Sequence, residues 1–301
     1  MEHLFLINPQ AGKYDHTQEV ASAAQALCQS LGEPCRIEIS QHKGHLTELA
    51  KAAGETGRAI RLYACGGDGT LHEAVAGAYG YENLSLTCVP CGSGNDYIKQ
   101  FAHPEAFFRL ENFRSTETRQ VDLIDANGNL AINVCSMGFD ARIGTAIDSY
   151  RRVPGLSGHR AYYASALVNL IKGVSKPCRV ELEDGTVIDG DQSLVCVCNG
   201  SWYGGSFHPV PEASITDGIL DILVVKAVSR LTVARVIGAY QKGLYADYPQ
   251  LISRFQAKSL RILTPKPEPV NLDGELLHSE DLHIQVLPKA LRFFAPTEAW
   301  A

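Results

Sequence analysis

Residues 60–79 read IRLYACGGDGTLHEAVAGAY, and this stretch decides the fold. Its apolar first part, 60–65, predicts a buried strand, and 71–79 predicts a helix. The junction between them consists of Gly66, Gly67, Asp68, Gly69 and Thr70. Glycines let a backbone approach an oxyanion closely, and the N-terminus of the following helix adds partial positive charge. We therefore expect a βα unit whose connecting turn suits a polyphosphate.

The surrounding first third of the chain alternates short apolar runs with longer amphipathic runs. This alternation is typical of βα units in a mostly parallel sheet, where ligands bind at the carboxyl ends of the strands. The expected strands are 4–8, 35–40, 60–65 and 84–89, and the expected helices are 17–31, 46–54 and 71–79.

From about residue 121 the pattern changes to strand-like runs separated by turn signals, which predicts an antiparallel β domain. The runs are 130–135, 179–182, 193–198, 220–225, 260–264 and 282–287. Helices are expected near 159–172 and 233–245. The terminal apolar run 291–295 follows Pro288, and the sequence allows it to complete either domain.

Composition narrows the class of protein. The chain has 301 residues, 45% of them hydrophobic, and a net charge of -6, which argues against a nucleic-acid partner. Residues 1–8 lack the basic region of a signal peptide, and 161–171 is too short to span a bilayer, so we expect a cytoplasmic protein. The nine cysteines are expected as free thiols, since Cys88 and Cys91 have no second pair to complete a zinc site.

Two further strand ends carry similar loop chemistry. The first is followed by Asn8, Pro9, Gln10, Ala11, Gly12 and Lys13, and the strand 84–89 by PCGSGND at 90–96. A purely structural alternative for the central turn makes Thr70 the N-cap of the helix and Glu73 its partner in a capping box. A Walker A loop requires Gly at Ile7, and a dinucleotide fingerprint from Gly92 requires Gly or Ala at Tyr97, so both are excluded.

Together with DGILD at 217–221 and Asp273-Gly274-Glu275, these segments resemble the diacylglycerol kinase catalytic-domain family of lipid kinases, which includes sphingosine and ceramide kinases. A lone GGDG motif is shared with NAD kinases. The GSGND element and the later Asp-Gly-Glu element distinguish the lipid kinase family from them. The resemblance implies an N-terminal Rossmann-like three-layer α/β nucleotide domain, 1–122 with 289–301 returning. It also implies a C-terminal antiparallel β-sandwich that holds the lipid, 123–288, and an active site in the cleft between the domains.

The same resemblance implies roles for individual residues. ATP phosphates would contact Asn8, Pro9, Gln10, Ala11, Gly12, Ser40, Gly66, Gly67, Asp68, Gly69, Thr70 and Ser93. Glu275 would accept the substrate proton, while Asp68 and Asp273 organise Mg²⁺ or the acceptor hydroxyl. A structural Mg²⁺ would bind Asp217 and the backbone oxygens of Ser214 and Ile219. From the residues alone, Asp68 remains open as a turn-capping residue and Asp273-Gly274 as a type I′ hairpin turn.

The expected function is therefore an ATP-dependent lipid kinase that phosphorylates diacylglycerol or a related lipid alcohol. The rivals are an NAD kinase-like enzyme with a soluble acceptor and a catalytically silent nucleotide- or lipid-binding regulator. Peripheral contact with the membrane is expected through the basic patch 151–160 and the apolar helix after it. The alternative is that the apolar face of this helix is buried in the protein core. The sequence is compatible with a homodimer.

Overall fold

A computed structural model describes residues 1–138, 141 and 175–300. The chain divides into two units, one formed by Met1–Leu123 with Leu287–Ala301 and the other by Ile124–Val286. The basic patch 151–160 and the helix expected at 159–172 lie outside the described residues. In the part that is described, no helix has the length and hydropathy needed to cross a membrane.

The first unit contains a parallel sheet with helices packed on it. Its strands are β1 (Glu2–Ile7), β2 (Cys35–Ile39), β3 (Ile60–Gly66), β4 (Leu84–Pro90) and the last part of β15 (Glu275–Pro296). They lie in the order β2-β1-β3-β4-β15, all parallel, and β5 (Thr116–Ala126) pairs with β15. Its α-helices are α1 (Thr17–Leu31), α2 (His45–Glu55) and α3 (Asp68–Ala78).

Burial explains why these segments take these forms. Leu4, Phe5, Leu6 and Ile7 are all buried in β1, as in strands covered on both faces. On α1 the buried residues are Val20, Ala24, Leu27 and Cys28, whose spacing places them on one face of the helix.

Helix α3 begins earlier than the sequence predicts. It starts at Asp68, not at residue 71, so that Gly67 is its N-cap and three of the five residues of the glycine turn are helical. The capping-box alternative is wrong: Thr70 is buried inside the helix, and the Glu73 carboxylate accepts the backbone N–H of Gly44.

The second unit is antiparallel. Its strands are β6 (Asn129–Ala131), β7 (Val134–Gly138), β8 (Lys176–Pro177), β9 (Arg179–Leu182), β10 (Val187–Ile188), β11 (Asp191–Cys198), β12 (Leu220–Lys226), β13 (Ile252–Ala257), β14 (Ser259–Leu272) and the first part of β15. One run of strands follows the order β13-β12-β11-β7-β14. In this unit the helix α4 spans Arg230–Gln241, where 233–245 is expected. It begins earlier because the Ser229 side chain caps it by accepting the Thr232 N–H.

Strand β14 connects two groups of strands in this unit. Its register against β15 shifts between Leu263 and Glu268. Before the shift it pairs with β9, and after it with β7, as expected where a strand turns a sandwich corner. The α/β first unit and the antiparallel second unit confirm the predicted fold class.

Five further segments among the described residues form short 3₁₀ turns: Tyr97–Gln100, Pro104–Phe108, Leu110–Arg114, Tyr245–Asp247 and Thr297–Trp300. The terminal run 291–295 belongs to β15, which passes Pro288 without ending, and Phe293 pairs with Leu86 of β4. This run therefore completes the sheet of the first unit.

Candidate active site

Three loops meet beyond the ends of β1, β3 and β4. The Asn8 Nδ2 group donates to Thr70 Oγ1 at 3.0 Å, which joins the first loop to the second. The N–H of Cys91 donates to Gly66 O at 2.9 Å, and that of Asp68 to Gly94 O at 3.0 Å. The loops 8–13, 66–70 and 90–96, which the sequence offers separately, are therefore hydrogen-bonded to one another.

Close backbone packing explains three of the glycines. A Cβ at Gly92 would lie 2.3 Å from Gly67 Cα, and a Cβ at Gly67 would lie 2.7 Å from Gly94 O. At Gly12, where φ is +80°, it would lie 2.4 Å from Cys91 O. Side chains at these positions would push the loops apart. Gly69 differs, because no atom lies within 4 Å of its Cβ position and the residue is exposed.

The N-terminus of α3 has the features of an anion site. Asp68, Gly69 and Thr70 form its first turn, whose N–H groups have no intrahelical acceptors. The N–H groups of Asp68 and Thr70 donate to Gly94 O and Gly67 O, and Gly69 between them is exposed. With the helix dipole, this turn suits a phosphate group.

The third loop adds an acceptor. Asn95 Nδ2 donates to Gly92 O at 2.9 Å, whereas its Oδ1 atom is buried and receives no hydrogen bond in the described part of the chain. A buried oxygen of this kind is costly unless a donor reaches it. A nucleotide hydroxyl or a metal-bound water would supply that donor.

Asp68 links the second and third loops. Its Oδ1 accepts the N–H groups of Asp96 at 2.7 Å and Tyr97 at 3.3 Å. Asp96 is itself buried and pairs with Lys99 Nζ at 2.6 Å. The Asp68 carboxylate therefore uses one of its oxygens to hold the third loop, which agrees with the alternative that Asp68 caps a turn. This does not exclude a role toward a ligand.

The other predicted nucleotide contacts surround this turn. Asn8 Oδ1 accepts the N–H of Gln10 at 3.0 Å, and Asn8 O accepts that of Ala11 at 3.1 Å, which shapes the turn around Pro9. The N–H of Ser40 donates to Ile7 O at 2.8 Å, so Ser40 sits beside the end of β1. Ser93 is exposed in the third loop.

The thiols near these loops are held in the neutral form. Burial raises the pKa of Cys91 to about 11 and raises the pKa of Cys65 and Cys88 as well. Because a thiolate is the nucleophile and metal ligand of cysteine, protonated thiols are poor candidates for either role.

In the second unit, Asp273 and Gly274 form the turn between β14 and β15. Both have positive φ, +51° and +100°, and Leu272 pairs with Glu275, so the hairpin alternative describes the backbone correctly. The Asp273 carboxylate also accepts three backbone N–H groups: Ile132 at 2.7 Å, Asn133 at 3.1 Å and Val134 at 2.8 Å. Glu275 follows as the half-buried first residue of β15.

Sequence reasoning missed Asn133, which ties this turn to another loop. Its side-chain Nδ2 donates to Trp202 O, and its backbone O accepts the N–H groups of Asn199 and Gly200 at 2.9 Å each. The residue is 6% exposed. The available signal was an amide side chain inside the apolar run 130–137.

The predicted Mg²⁺ ligands lie on the loop before β12. Asp217 is exposed, and its Oδ1 accepts the Ile219 N–H at 3.0 Å across Gly218, whose φ is +72°. Ser214 lies three residues earlier, half-buried. A carboxylate and backbone carbonyls are hard oxygen donors, which is the ligand chemistry that Mg²⁺ prefers.

A second cluster has different chemistry. His42, His45 and Glu48 bring three possible ligand atoms within 4.8 Å of one another, and it is the one such group among the described residues. Imidazole suits zinc better than magnesium. However, His45 Nδ1 already accepts the N–H of Gln41, which leaves the proton on Nε2 and makes that nitrogen a donor. The cluster is therefore a poor Mg²⁺ site.

Comparison with known proteins decides the family. Residues 2–126 match the diacylglycerol kinase catalytic domain, and residues 133–295 match the YegS C-terminal NAD kinase beta sandwich-like domain. The chain is 30% identical over 244 residues to a probable YegS-like lipid kinase of Shewanella frigidimarina, covering 78% of this chain and 76% of that protein. The chain belongs to the YegS-like lipid kinase family.

Other relatives of this YegS-like chain agree. A probable YegS-like lipid kinase of Pseudomonas aeruginosa is 26% identical over 288 residues, covering 95% of this chain and 92% of that protein. The crystal structure of a diacylglycerol kinase from Bacillus anthracis superposes with a TM-score of 0.72 at 21% identity, covering 99% of this chain and 98% of that one. The latter likeness shows the fold.

Proposed function

We propose that this protein is an ATP- and Mg²⁺-dependent lipid kinase that transfers the γ-phosphoryl group of ATP to the hydroxyl of diacylglycerol or a related lipid alcohol. The observation that carries the proposal is the packing of three loops on the N-terminus of α3, where Gly12, Gly67 and Gly92 have no room for a side chain. Membership of a lipid kinase family supports a lipid acceptor.

In this proposal, 1–122 with 289–301 binds ATP and 123–288 holds the lipid. The phosphates contact Gly66–Thr70 and residues 8–12, with Ser40 and Ser93 as further contacts. The Gly69 amide and the buried Asn95 oxygen offer the donor and the acceptor that a nucleotide with its bound cation requires. We place the protein at the cytoplasmic face of the membrane, where its acceptor resides.

The reaction is an in-line displacement at phosphorus. The lipid hydroxyl oxygen forms a bond to the γ-phosphorus, the bond from that phosphorus to the bridging oxygen breaks, and ADP leaves. We assign the hydroxyl proton to the Glu275 carboxylate. Asp68 organises the acceptor hydroxyl or the nucleotide cation. Because Asp273 already accepts three N–H groups, we assign it to positioning the turn that carries Glu275.

Mg²⁺ enters the proposal in two places. Bound with ATP, the ion would offset the negative charge of the phosphates. At the second place, the Asp217 carboxylate and the carbonyls of Ser214 and Ile219 would hold an ion that orders their loop, a role consistent with an oxygen-only donor set.

The test is a kinase assay with purified protein, ATP and Mg²⁺ against a panel of detergent-dispersed lipid alcohols and against NAD. We expect phosphorylation of a lipid alcohol. Replacing Glu275 with Gln should lower kcat by about a hundredfold or more, because the proton acceptor is lost, with nucleotide binding retained. Glu280→Gln, at an exposed residue of the same strand, is the matched control and should keep full activity.

Two outcomes would contradict the proposal. Phosphorylation of NAD alone would identify a soluble-acceptor kinase. Nucleotide binding without ATP consumption on any acceptor would identify a silent regulator. Full activity of Glu275→Gln would overturn the base assignment while leaving the lipid kinase function in place.

A further inference from the structure

One arginine holds the end of the loop that carries the proposed Mg²⁺ ligands. This segment, the Mg²⁺ loop, spans residues 212–221 and ends at Asp221, the second residue of β12, which is 1% exposed. On the neighbouring strand β13, Arg254 donates from Nε and Nη2 to Asp221 Oδ1 at 2.9 and 2.7 Å. A buried carboxylate is costly unless it is paired, so this contact fixes the end of the loop to β13.

The same guanidinium group reaches the start of the Mg²⁺ loop through a tyrosine. Arg254 Nη1 donates to Tyr245 Oη at 3.1 Å, and the Tyr245 hydroxyl donates to Glu212 Oε1 at 3.2 Å. Glu212 lies two residues before the first proposed ligand, and Asp221 lies two residues after the last. A continuous chain of hydrogen bonds therefore joins the two ends of the loop and brackets the three proposed ligands.

Packing within the second unit fixes the position of this tyrosine. The Tyr245 ring packs against the apolar cluster that contains Tyr240 and Ile252, and the residue begins the 3₁₀ turn that follows α4. The guanidinium carbon of Arg254 lies 5.8 Å from the centroid of the same ring. The hydroxyl that links the two ends is thus positioned by residues outside the loop.

The link between the ends matters for metal binding because the proposed ligands are spread along the loop. The carboxylate of Asp217 and the carbonyls of Ser214 and Ile219 must lie together before they can hold one ion, and ordering their backbone costs conformational entropy. A loop whose ends are held at a fixed spacing has fewer conformations in the absence of the ion. Less of the binding free energy is then lost in ordering the loop, so its affinity for Mg²⁺ rises.

We propose that a clamp positions the Mg²⁺ loop and raises its affinity for the ion. The clamp consists of four residues joined by hydrogen bonds: Glu212, Tyr245, Arg254 and Asp221. The proposal rests on the Mg²⁺ site proposed above and assigns a role to residues outside its ligand set. The competing explanation is that Glu212 attracts the cation through its charge alone.

The test measures Mg²⁺ binding by the full chain without nucleotide, as the rise of the thermal midpoint with Mg²⁺ concentration. Tyr245→Phe keeps the ring and every charge but removes the hydroxyl that joins the two ends of the loop. It should raise the half-saturating Mg²⁺ concentration about threefold to tenfold, the effect of losing one hydrogen-bonded link. Arg254 is left intact, since its removal would leave the Asp221 charge buried and unpaired.

The matched control is Tyr248→Phe. The Tyr248 ring packs against the same apolar cluster, and its hydroxyl has no hydrogen-bond partner in the part of the chain that the structure describes. This variant should change the half-saturating Mg²⁺ concentration by less than about twofold. Asp217→Asn should abolish the Mg²⁺-dependent rise of the midpoint, which identifies the site that the titration reports.

Variants of Glu212 separate the clamp from an effect of charge. Glu212→Ala should weaken Mg²⁺ binding as Tyr245→Phe does, and the double variant should bind no more weakly than either single one, because both break the same link. Glu212→Gln should bind Mg²⁺ within about twofold of the parent, since its amide oxygen still accepts the tyrosine hydroxyl. If Tyr245→Phe fails to fold, Glu212→Ala, at an exposed residue, carries the same test.

The outcomes distinguish the clamp from the proposals beneath it. No rise of the midpoint with Mg²⁺ in the parent, or a rise that Asp217→Asn leaves intact, would refute the Mg²⁺ site and the clamp with it. Unchanged Mg²⁺ binding by Tyr245→Phe, with the Asp217-dependent rise present in the parent, would overturn the clamp alone. Weaker binding in both Glu212→Ala and Glu212→Gln, with Tyr245→Phe unchanged, would establish the charge effect instead. Failure of the parent to phosphorylate any lipid would contradict the proposed function without altering these Mg²⁺ affinities.

Discussion

Two aspartates in Asp-Gly turns have different surroundings. Asp184 is exposed, and its carboxylate accepts one backbone N–H, that of Thr186 at 2.8 Å. Asp273 is half-buried, has φ +51° and accepts three backbone N–H groups. The same dipeptide is thus a local turn in one place and an anchor for a distant segment in the other.

We predict that Asp273→Ala lowers the free energy of unfolding by about 2–4 kcal/mol, because partly buried N–H groups lose a charged acceptor and alanine disfavours positive φ. Asp184→Ala, the matched control, should cost under about 1 kcal/mol. Urea unfolding of the three proteins measures the difference. Equal losses would show that Asp273 is an ordinary turn residue.

His3 makes stability depend on pH. The ring is fully buried, with Nδ1 against Tyr63 Oη and Nε2 against Glu33. Burial lowers the pKa of His3 and outweighs the hydrogen bond to Glu33, which raises it. The unfolded chain, with a histidine pKa of about 6.5, therefore binds a proton more readily than the folded chain.

From this we predict that the stability due to neutral His3 is complete above about pH 6.5 and declines as the pH falls through the lower folded pKa. His3→Gln should flatten that decline in urea midpoints measured between about pH 7.5 and 5. His103→Gln, at an exposed histidine beside Glu105, is the control, and its urea midpoints should depend on pH as those of the parent protein do. An unchanged profile in His3→Gln would contradict the assignment.

At the scale of the element, α3 shows how tertiary contacts move a helix start. Periodicity of apolar residues places the first helical residue at 71, since Gly-Asp-Gly is a turn signal. The helix begins at Asp68 because Gly94 O accepts the Asp68 N–H, and the Asp96 N–H donates to the Asp68 carboxylate. The glycine turn, residues 66–70, is therefore mostly the first turn of this helix.

Three glycine substitutions test this element. Gly69→Ala should leave stability unchanged or slightly higher, because the Cβ meets no atom, yet lower ATP affinity about tenfold by filling the proposed phosphate site. Gly67→Ala should reduce both stability and ATP affinity, since its Cβ would lie 2.7 Å from Gly94 O. Gly238→Ala, on α4, should raise stability by up to about 1 kcal/mol with no effect on ATP.

Isothermal titration with a non-hydrolysable ATP analogue and urea unfolding provide the two readouts. If Gly69→Ala binds the analogue as the parent does, the first turn of α3 does not contact the phosphates. If Gly67→Ala is as stable as the parent, the close approach of the second and third loops is not required.

At the scale of the whole molecule, the end of the chain completes a unit built from its beginning. Leu291, Phe293, Phe294 and Ala295 of β15 are all buried within the first unit. The Phe294 ring lies edge-on to Tyr63, with centroids 5.1 Å apart, and also contacts Phe113. The first unit therefore lacks part of its core until the final strand is made.

Phe294→Ala should lower the free energy of unfolding by about 3–5 kcal/mol through the cavity it leaves. Phe108→Ala, at a phenylalanine that is 60% exposed, should cost less than about 1 kcal/mol. Chemical denaturation followed by tryptophan fluorescence suits this comparison, because Trp300 lies in the same unit. A loss below 1 kcal/mol for Phe294→Ala would mean that the last strand is dispensable for the core.

By itself, the sequence determined the fold class and the three loops, because apolar periodicity and glycine-rich strand ends depend on local chemistry. The resemblance carried by the GGDG, GSGND and DGE motifs led to the correct family. Tertiary structure alone decided which glycines face a neighbouring loop, that Asp273 anchors residues 132–134, that Asn133 is buried among the loops, and that the terminal run closes the first unit. Each of these depends on residues far apart in the chain, whose meeting is set by packing rather than by local propensity.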